Sequence, residues 1–253
     1  MRIAICGKGG CGKSTITTLL AKALANKNKE VLIIDSDESN YGLHAQLGME
    51  MPKGFTGYFG GKEKVLNNMM LSKFSHQFFH EQWTIADIPE GYFSEKGSIK
   101  LMVSGKINQA NEGCSCAMGT VIGQFIANLQ LDENQVTLID MEAGVEHFGR
   151  SIDNGVDVIL MIVDPSFESL RLSKKIADLA ISIEKPIYYV LNKTTDENKK
   201  LMYESIEKPE SIIAEIGLLQ EIMEAGLTGQ ELFLAETATT ELVDFFLGQD
   251  QRM

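Results

Sequence analysis

Cysteine is scarce in this chain, and four thiols in 253 residues do not make a disulfide framework. Basic charge is scarce as well: 23 lysines and arginines against 35 aspartates and glutamates leave a net charge of −12. A surface of that sign is repelled by nucleic-acid phosphates and by anionic lipid, which argues against both as partners. Between residues 231 and 253 the only basic side chain is Arg252, whereas a helix lying on a membrane carries a basic face. No apolar run approaches the roughly 20 residues needed to span a bilayer. The apolar start of the chain is too short for a secretory signal. No shift in composition marks a linker, so residues 1–253 read as one domain in the cytoplasm.

What the chain does have is concentrated near its start. Gly7-Lys8-Gly9-Gly10-Cys11-Gly12-Lys13-Ser14-Thr15 satisfies G-x-x-x-x-G-K-[ST], the phosphate-binding loop. It follows the apolar run Ile3-Ala4-Ile5-Cys6 and precedes Ile16, Leu19, Leu20, Ala23 and Leu24 at helical spacing. The motif works only between a strand and a helix N-terminus, where backbone N–H groups converge on phosphate oxygens and the helix dipole favours the anion. Gly9, Gly10, Cys11, Gly12, Lys13, Ser14 and Thr15 are thus the expected cradle. Lys13 would reach the β- and γ-phosphates of ATP, and the Ser14 hydroxyl would ligate Mg²⁺. Lys8 is surplus to such a loop and, taken alone, reads as a solvated lysine.

Further strands are predicted at 31–35, 99–103, 136–140, 158–163, 187–192 and 211–216. Helices are predicted at 14–25, 118–129, 169–183 and near the C-terminus. This alternation predicts an α/β fold of the P-loop NTPase type: a mostly parallel central sheet with helices on both faces. Ligand then belongs beyond the carboxyl ends of the strands. Residues 49–98 break the pattern. Rich in Gly, Phe and Met, with Trp83 inside, they suit a short helix pair, a lid or a partner surface.

Several polar residues fall at strand ends. Asp35 and Asp37 follow one strand, where an aspartate is as often a cap or turn residue as a functional one. Asp140 ends another and stands where a carboxylate holding the magnesium hydration shell through a water is expected. His147, shortly after, reads as a surface residue or one standing behind the ligands rather than as a ligand itself. Asn192 and Lys193 end a later strand, and an amide that donates and accepts at once suits an adenine edge. Cys6 and Cys11 read as small buried hydrophobes. Cys114 and Cys116 do not: a polar stretch and Gly113 lead into them, and a helix N-terminus follows, which favours thiolate. Thiolates bind soft or borderline metals, and a transient thiol–disulfide role is the other reading.

The string KGGCGKST resembles the deviant Walker A motif of the MinD/ParA/nitrogenase iron protein class of dimeric ATPases. The resemblance implies that Lys8 reaches across a homodimer to the partner's nucleotide. It implies that Asp37 lies in switch I and orients the attacking water, and that Asp140-Met141-Glu142-Ala143-Gly144 is switch II, where a side chain at Gly144 would obstruct the approach of its backbone N–H to the γ-phosphate. Asn192 and Lys193 become nucleotide contacts, although Leu218 stands where relatives often have proline near the base. Cys-x-Cys followed by Asp-Met-x-Ala-Gly-x-Glu-His resembles the CooC-type ATPases that mature carbon monoxide dehydrogenase, with the acetyl-CoA synthase maturation factor a sibling. The resemblance spans residues 1–48 and from about 99 onward. It implies a dimeric ATPase, turning ATP and water into ADP and phosphate, that gathers Ni²⁺ or Zn²⁺ at paired Cys114 and Cys116 and delivers it to a client metalloenzyme. Two thiolates are too few for a tetrahedral site, and four across a two-fold axis suffice. An iron–sulfur carrier ATPase is a second reading, weakened because no cysteine follows Cys116. A nitrogenase-type reductase lacks its switch II cysteine. A metal-free spatial regulator is the reading from another class.

Overall fold

The structure, a computed structural model, describes residues 1–106, 116–142, 155–233 and 239–250. Its elements in chain order begin with β1 (Arg2–Gly7), α1 (Lys13–Asn26), β2 (Glu30–Asp35), α2 (Leu43–Leu47), α3 (Lys62–Leu71), β3 (Ser94–Lys96) and β4 (Ile99–Val103). They continue with α4 (Cys116–Asn128), β5 (Gln135–Asp140), β6 (Val158–Val163), α5 (Phe167–Ser182), β7 (Ile187–Thr194) and α6 (Lys199–Ser205). The last are β8 (Ile212–Gly217), α7 (Gln220–Thr228) and α8 (Thr240–Asp250).

Strands such as EVLIID in β2 and VILMIV in β6 carry apolar residues at consecutive positions because both of their faces are covered. The sheet has eight strands in the order β3-β4-β2-β5-β1-β6-β7-β8. Every pairing is parallel except that of β3 with β4. Alternate residues of each strand point to opposite layers. Ile3, Ile5, Val31 and Ile33 face α1, α2 and α8, packing on Ile16, Leu20, Leu43 and Leu242. Ala4, Cys6, Leu32 and Ile34 face α3, α4 and α5, packing on Met69, Val121, Phe125 and Ile176. The predicted mostly parallel sheet with helices on both faces is what forms.

Two departures from the sequence reading have simple causes. The edge strand β3 is too short to show a pattern; it is folded back by Gly97, whose φ of 61° suits a tight turn, and pairs Lys96 with Ile99. Residues 49–98 do hold a helix, α3, but they pack through aromatic rings rather than through a periodic stripe. Phe55 is fully buried and lies within 5.3–6.4 Å, centroid to centroid, of Tyr58, Phe59, Phe79, Trp83, Tyr92 and Phe125. The pairs with Tyr58 and Phe79 are stacked and the other four edge-to-face, and pairs of either kind add about 0.5–1.5 kcal/mol each beyond area burial. This segment therefore docks on α4 and belongs to one of the two core layers.

Candidate nucleotide site

The phosphate loop leaves the end of β1 and enters α1 through Gly12, which has φ 104° and ψ 20°. A side chain there would be strained, and its Cβ would meet Asn192 Nδ2 at 2.3 Å. Glycine lets the loop close against β7. α1 has no side-chain N-cap and no acidic residue in its first turn, so its leading N–H groups are left for an anion. Thr17 and Thr18 are buried in that helix because their hydroxyls donate back to the carbonyls of Lys13 and Ser14, both at 2.9 Å.

β7 braces the loop from one side. Asn192 Nδ2 donates to the Cys11 carbonyl at 2.7 Å, and Lys193 Nζ donates to the Gly10 carbonyl at 2.6 Å. Lys193 adopts φ 60°, and the β7–β8 register shifts between Asn192 and Thr194. A lysine in the left-handed region of a strand is a local bulge that aims its side chain at the loop. The donor half of the Asn192 amide, expected at an adenine edge, is thus engaged on loop backbone, and the residue is buried.

Carboxylates line the opposite side. Asp35 and Asp140 are register partners at the ends of β2 and β5. Asp140 is fully buried; its Oδ2 accepts from Ser14 Oγ at 2.6 Å, while its Oδ1 is buried and accepts no hydrogen bond. Leaving a buried anionic acceptor unserved is costly. A hydrated Mg²⁺ beside Ser14 supplies what that oxygen lacks, so the residues present fit a magnesium–nucleotide. Asp37 is also buried; its Oδ1 accepts from Ser39 N and Oγ at 3.0 and 2.6 Å. Asn40 Nδ2 reaches Ser14 Oγ at 2.5 Å.

Lys8 does not float free. Its Nζ donates to Ser166 Oγ at 3.3 Å and lies 3.8 Å from Asp164 Oδ2. Ser166 is the N-cap of α5, accepting from Ser169 N, and its hydroxyl donates to Asp164 Oδ1 at 2.7 Å. Lys13 Nζ donates to the Lys8 carbonyl at 3.3 Å. Cys11 and Cys6 are buried, as expected. Burial pushes the Cys11 thiol up to about 11 and raises Cys6 well above its ordinary value.

Sequence reasoning missed Asn40, Lys106, Asp164 and Ser166. The pair Asp164 and Ser166 carried a signal, since a strand followed by D-P-S is a helix-start pattern. Lys106 carried none. Gly144, His147 and Cys114 lie outside the described residues. Cys116 is half-buried, opens α4 rather than preceding it, and is disulfide-bonded. Among the described residues, no three His, Cys, Asp or Glu side chains gather into a metal-holding group.

Burial pushes Asp140 up to about 7, with Asp35 adding to the push and Ser14 pulling back. Burial likewise lifts Asp35 to about 6, outweighing the lysine beside it. Both folded values exceed the ordinary one near 3.9, so over roughly pH 4 to 7 the folded chain holds more protons than the unfolded chain. The contribution of these two groups to stability therefore falls as pH rises through that window, and the full cost is present above it. The expected result is that Asp140→Asn, which leaves the Asp35–Lys106 ion pair intact, raises the urea midpoint of the nucleotide-free protein more at pH 7.5 than at pH 5. An equal shift at both values contradicts the assignment.

A phosphate loop, a buried carboxylate pair and a two-layered parallel sheet define a P-loop nucleotide-binding ATPase. Residues 3–233 match CbiA, the CobQ/CobB/MinD/ParA nucleotide binding domain. The chain belongs to that family, and it is an ATP-binding ATPase of the MinD/ParA type. It is 47% identical over 235 residues to an uncharacterized ATP-binding protein of Methanocaldococcus jannaschii, covering 92% of this chain and 94% of that one. It is 33% identical over 205 residues to the carbon monoxide dehydrogenase accessory protein CooC of Rhodospirillum rubrum, covering 76% and 74%. The septum site-determining protein MinD of Pyrococcus horikoshii, solved with Mg-ADP, superposes with a TM-score of 0.69 over 98% of both chains at 17% identity. At that identity it speaks for the fold. Among the described residues no helix is long and apolar enough to cross a membrane.

Proposed function

We propose that this protein is a cytoplasmic, ATP-hydrolysing metallochaperone that works as a homodimer. In this reading Lys13 and the loop amides bind the phosphates, and Ser14 with Asp140 holds hydrated Mg²⁺, which neutralises charge developing on the phosphoryl oxygens. Asp37 orients the attacking water, and Lys8 adds positive charge at the nucleotide of the other subunit. Gly144, in the stretch after Asp140, brings its N–H to the γ-phosphate. Asn192 and Lys193 act mainly by bracing the loop. Ni²⁺ or Zn²⁺ is the cargo, held by Cys114 and Cys116 from each of two subunits and passed to a client metalloenzyme.

One observation carries the reading. Cys116 opens α4, the helix that follows β4 in the chain, and β4 ends at the carboxyl edge of the sheet that also bears the phosphate loop, Asp35 and Asp37. A dimer that meets across nucleotide at this edge brings two such helix starts together, so nucleotide state and metal occupancy are thermodynamically linked. The relative from Rhodospirillum, an accessory protein of a metalloenzyme, supports the class of client. The disulfide at Cys116 means that cargo binding requires the reduced pair. The net charge of −12 weighs against a regulator that cycles on chromosomes or membranes.

Asp37→Ala tests the ATPase half. Without the water-orienting carboxylate, ATP stays bound and the dimer persists, so light scattering in Mg-ATP gives about twice the monomer mass. A monomeric mass with saturating Mg-ATP ends the dimer reading.

A further inference from the structure

A buried ion pair beside the nucleotide site has no role among those assigned so far. Lys106, three residues beyond β4, donates to Asp35 Oδ2 at 2.6 Å, and the two side chains are 7% and 2% exposed. Burying such a pair gains little stability over apolar packing, because desolvation offsets the attraction. Its use lies in what it holds. Both members reach the main chain of Asp37, one from each side. Asp37 N donates to Asp35 Oδ1 at 3.1 Å, and the Asp37 carbonyl accepts from Lys106 Nζ at 2.6 Å. The three residues close a ring: N–H to carboxylate, ammonium to that carboxylate, and ammonium to carbonyl.

The ring matters because nothing regular holds Asp37 otherwise. Residues 36–42, between β2 and α2, lie in neither strand nor helix. The remaining bonds of Asp37 are to its own loop: its carbonyl also accepts from Asn40 N at 3.3 Å, and its Oδ1 accepts from Ser39. Such neutral, local bonds shift with the loop, whereas bonds to a charged partner are roughly twice as strong. The ring is anchored in the sheet. Asp35 ends β2 as the register partner of both Val103 and Asp140, and its carbonyl accepts from Ser104 N at 2.9 Å. Ser36 N and Oγ donate to the Asp140 carbonyl at 3.0 and 2.9 Å. Lys106 thus ties Asp37 to the strand ends that also carry the magnesium carboxylate.

We propose that Lys106, with Asp35 as its counter-ion, is a positioning residue for ATP hydrolysis, acting through Asp37 rather than on the nucleotide. This deepens the reading of Asp37 as the carboxylate that orients the attacking water, and rests on it. A group that only sets this geometry affects turnover and leaves ATP binding alone, since the phosphates are met by the loop and the start of α1. Misplacing a reacting geometry by about 1 Å costs about a hundredfold in rate.

The experiment measures single-turnover hydrolysis of labelled Mg-ATP with the full chain in excess, and ATP affinity separately by equilibrium titration. Lys106→Met lowers the hydrolysis rate about a hundredfold and keeps ATP affinity within a few-fold of the parent. Added to Asp37→Ala, the same substitution costs nothing further, because no carboxylate is left to place. Lys106→Met leaves Asp35 buried without its cation and is prone to misfold. Asp35→Asn combined with Lys106→Met removes both charges and reports the same loss of rate in a folded protein. Three results overturn the inference: parental turnover in either Met variant, a loss confined to ATP affinity, or a full further loss on top of Asp37→Ala. An impaired Asp37→Ala beside a fully active Lys106→Met sinks this inference alone. Parental turnover by Asp37→Ala sinks the water-orienting role, and this inference with it.

Discussion

Replacing Lys8 by alanine leaves ATP affinity within a few-fold of the parent and lowers turnover by about a thousandfold or more, the scale of losing a cation that acts only in the transition state. Affinity is kept because the loop has Lys13 and the open N-terminus of α1 for the phosphates. Turnover is lost because a second cation must arrive where charge develops, and in the proposed dimer it comes from the neighbour. In the structure Lys8 is held by Ser166 and Asp164 of its own chain, 3.3 and 3.8 Å away. That contact is partly exposed and contributes little to stability, so the variant folds and a low rate is not a folding defect. Mixing Lys8→Ala with Lys13→Ala subunits sharpens the result. The first binds ATP, the second supplies Lys8, and turnover returns in the mixture. Equal rates for Lys8→Ala and parent refute the trans role, and so does a mixture as inactive as its components.

Cys114→Ala with Cys116→Ala abolishes stoichiometric metal binding. In equilibrium dialysis of the reduced protein with Zn²⁺ or Ni²⁺, the parent retains about one ion per dimer, the number four thiolates in one tetrahedral site can hold. The double variant retains none above the background of carboxylate binding, which the net charge of −12 makes appreciable. Nucleotide binding by the loop is untouched, since no cysteine of the pair lies in it. Cys6 and Cys11 do not substitute: both are buried, and burial keeps their thiols protonated. Normal metal uptake by the double variant removes the chaperone role and leaves the ATPase.

Much of this molecule could be read from its residues. β6 begins and ends where the apolar run at 158–163 does, because a buried parallel strand needs such a run on both faces, and β4 keeps the predicted bounds 99–103 although Lys100 interrupts its run. The phosphate loop could be read because its geometry is local, set by glycines and a helix start within nine positions of one another. The packing of 49–98 could not. Its stability comes from rings meeting rings from distant positions, such as Phe55 with Phe125, and no spacing along the chain encodes that. The role of Asn192 was read in part. Its strand-end position was plain, but Nδ2 binds Cys11, far away in sequence.

From its residues alone this chain is a phosphate-binding ATPase built on a parallel sheet, with an acidic surface and a thiol pair worth explaining. Those properties follow from local pattern and composition, which act within a few residues or over the whole surface. Only the fold decided that Asp140 stands beside Asp35 with one unserved oxygen, that Lys8 rests against Asp164, and that Lys106 closes over Asp37. Each of these joins groups from separate strands. A buried charge takes its properties from what strand order sets next to it, and strand order is a property of the assembled sheet.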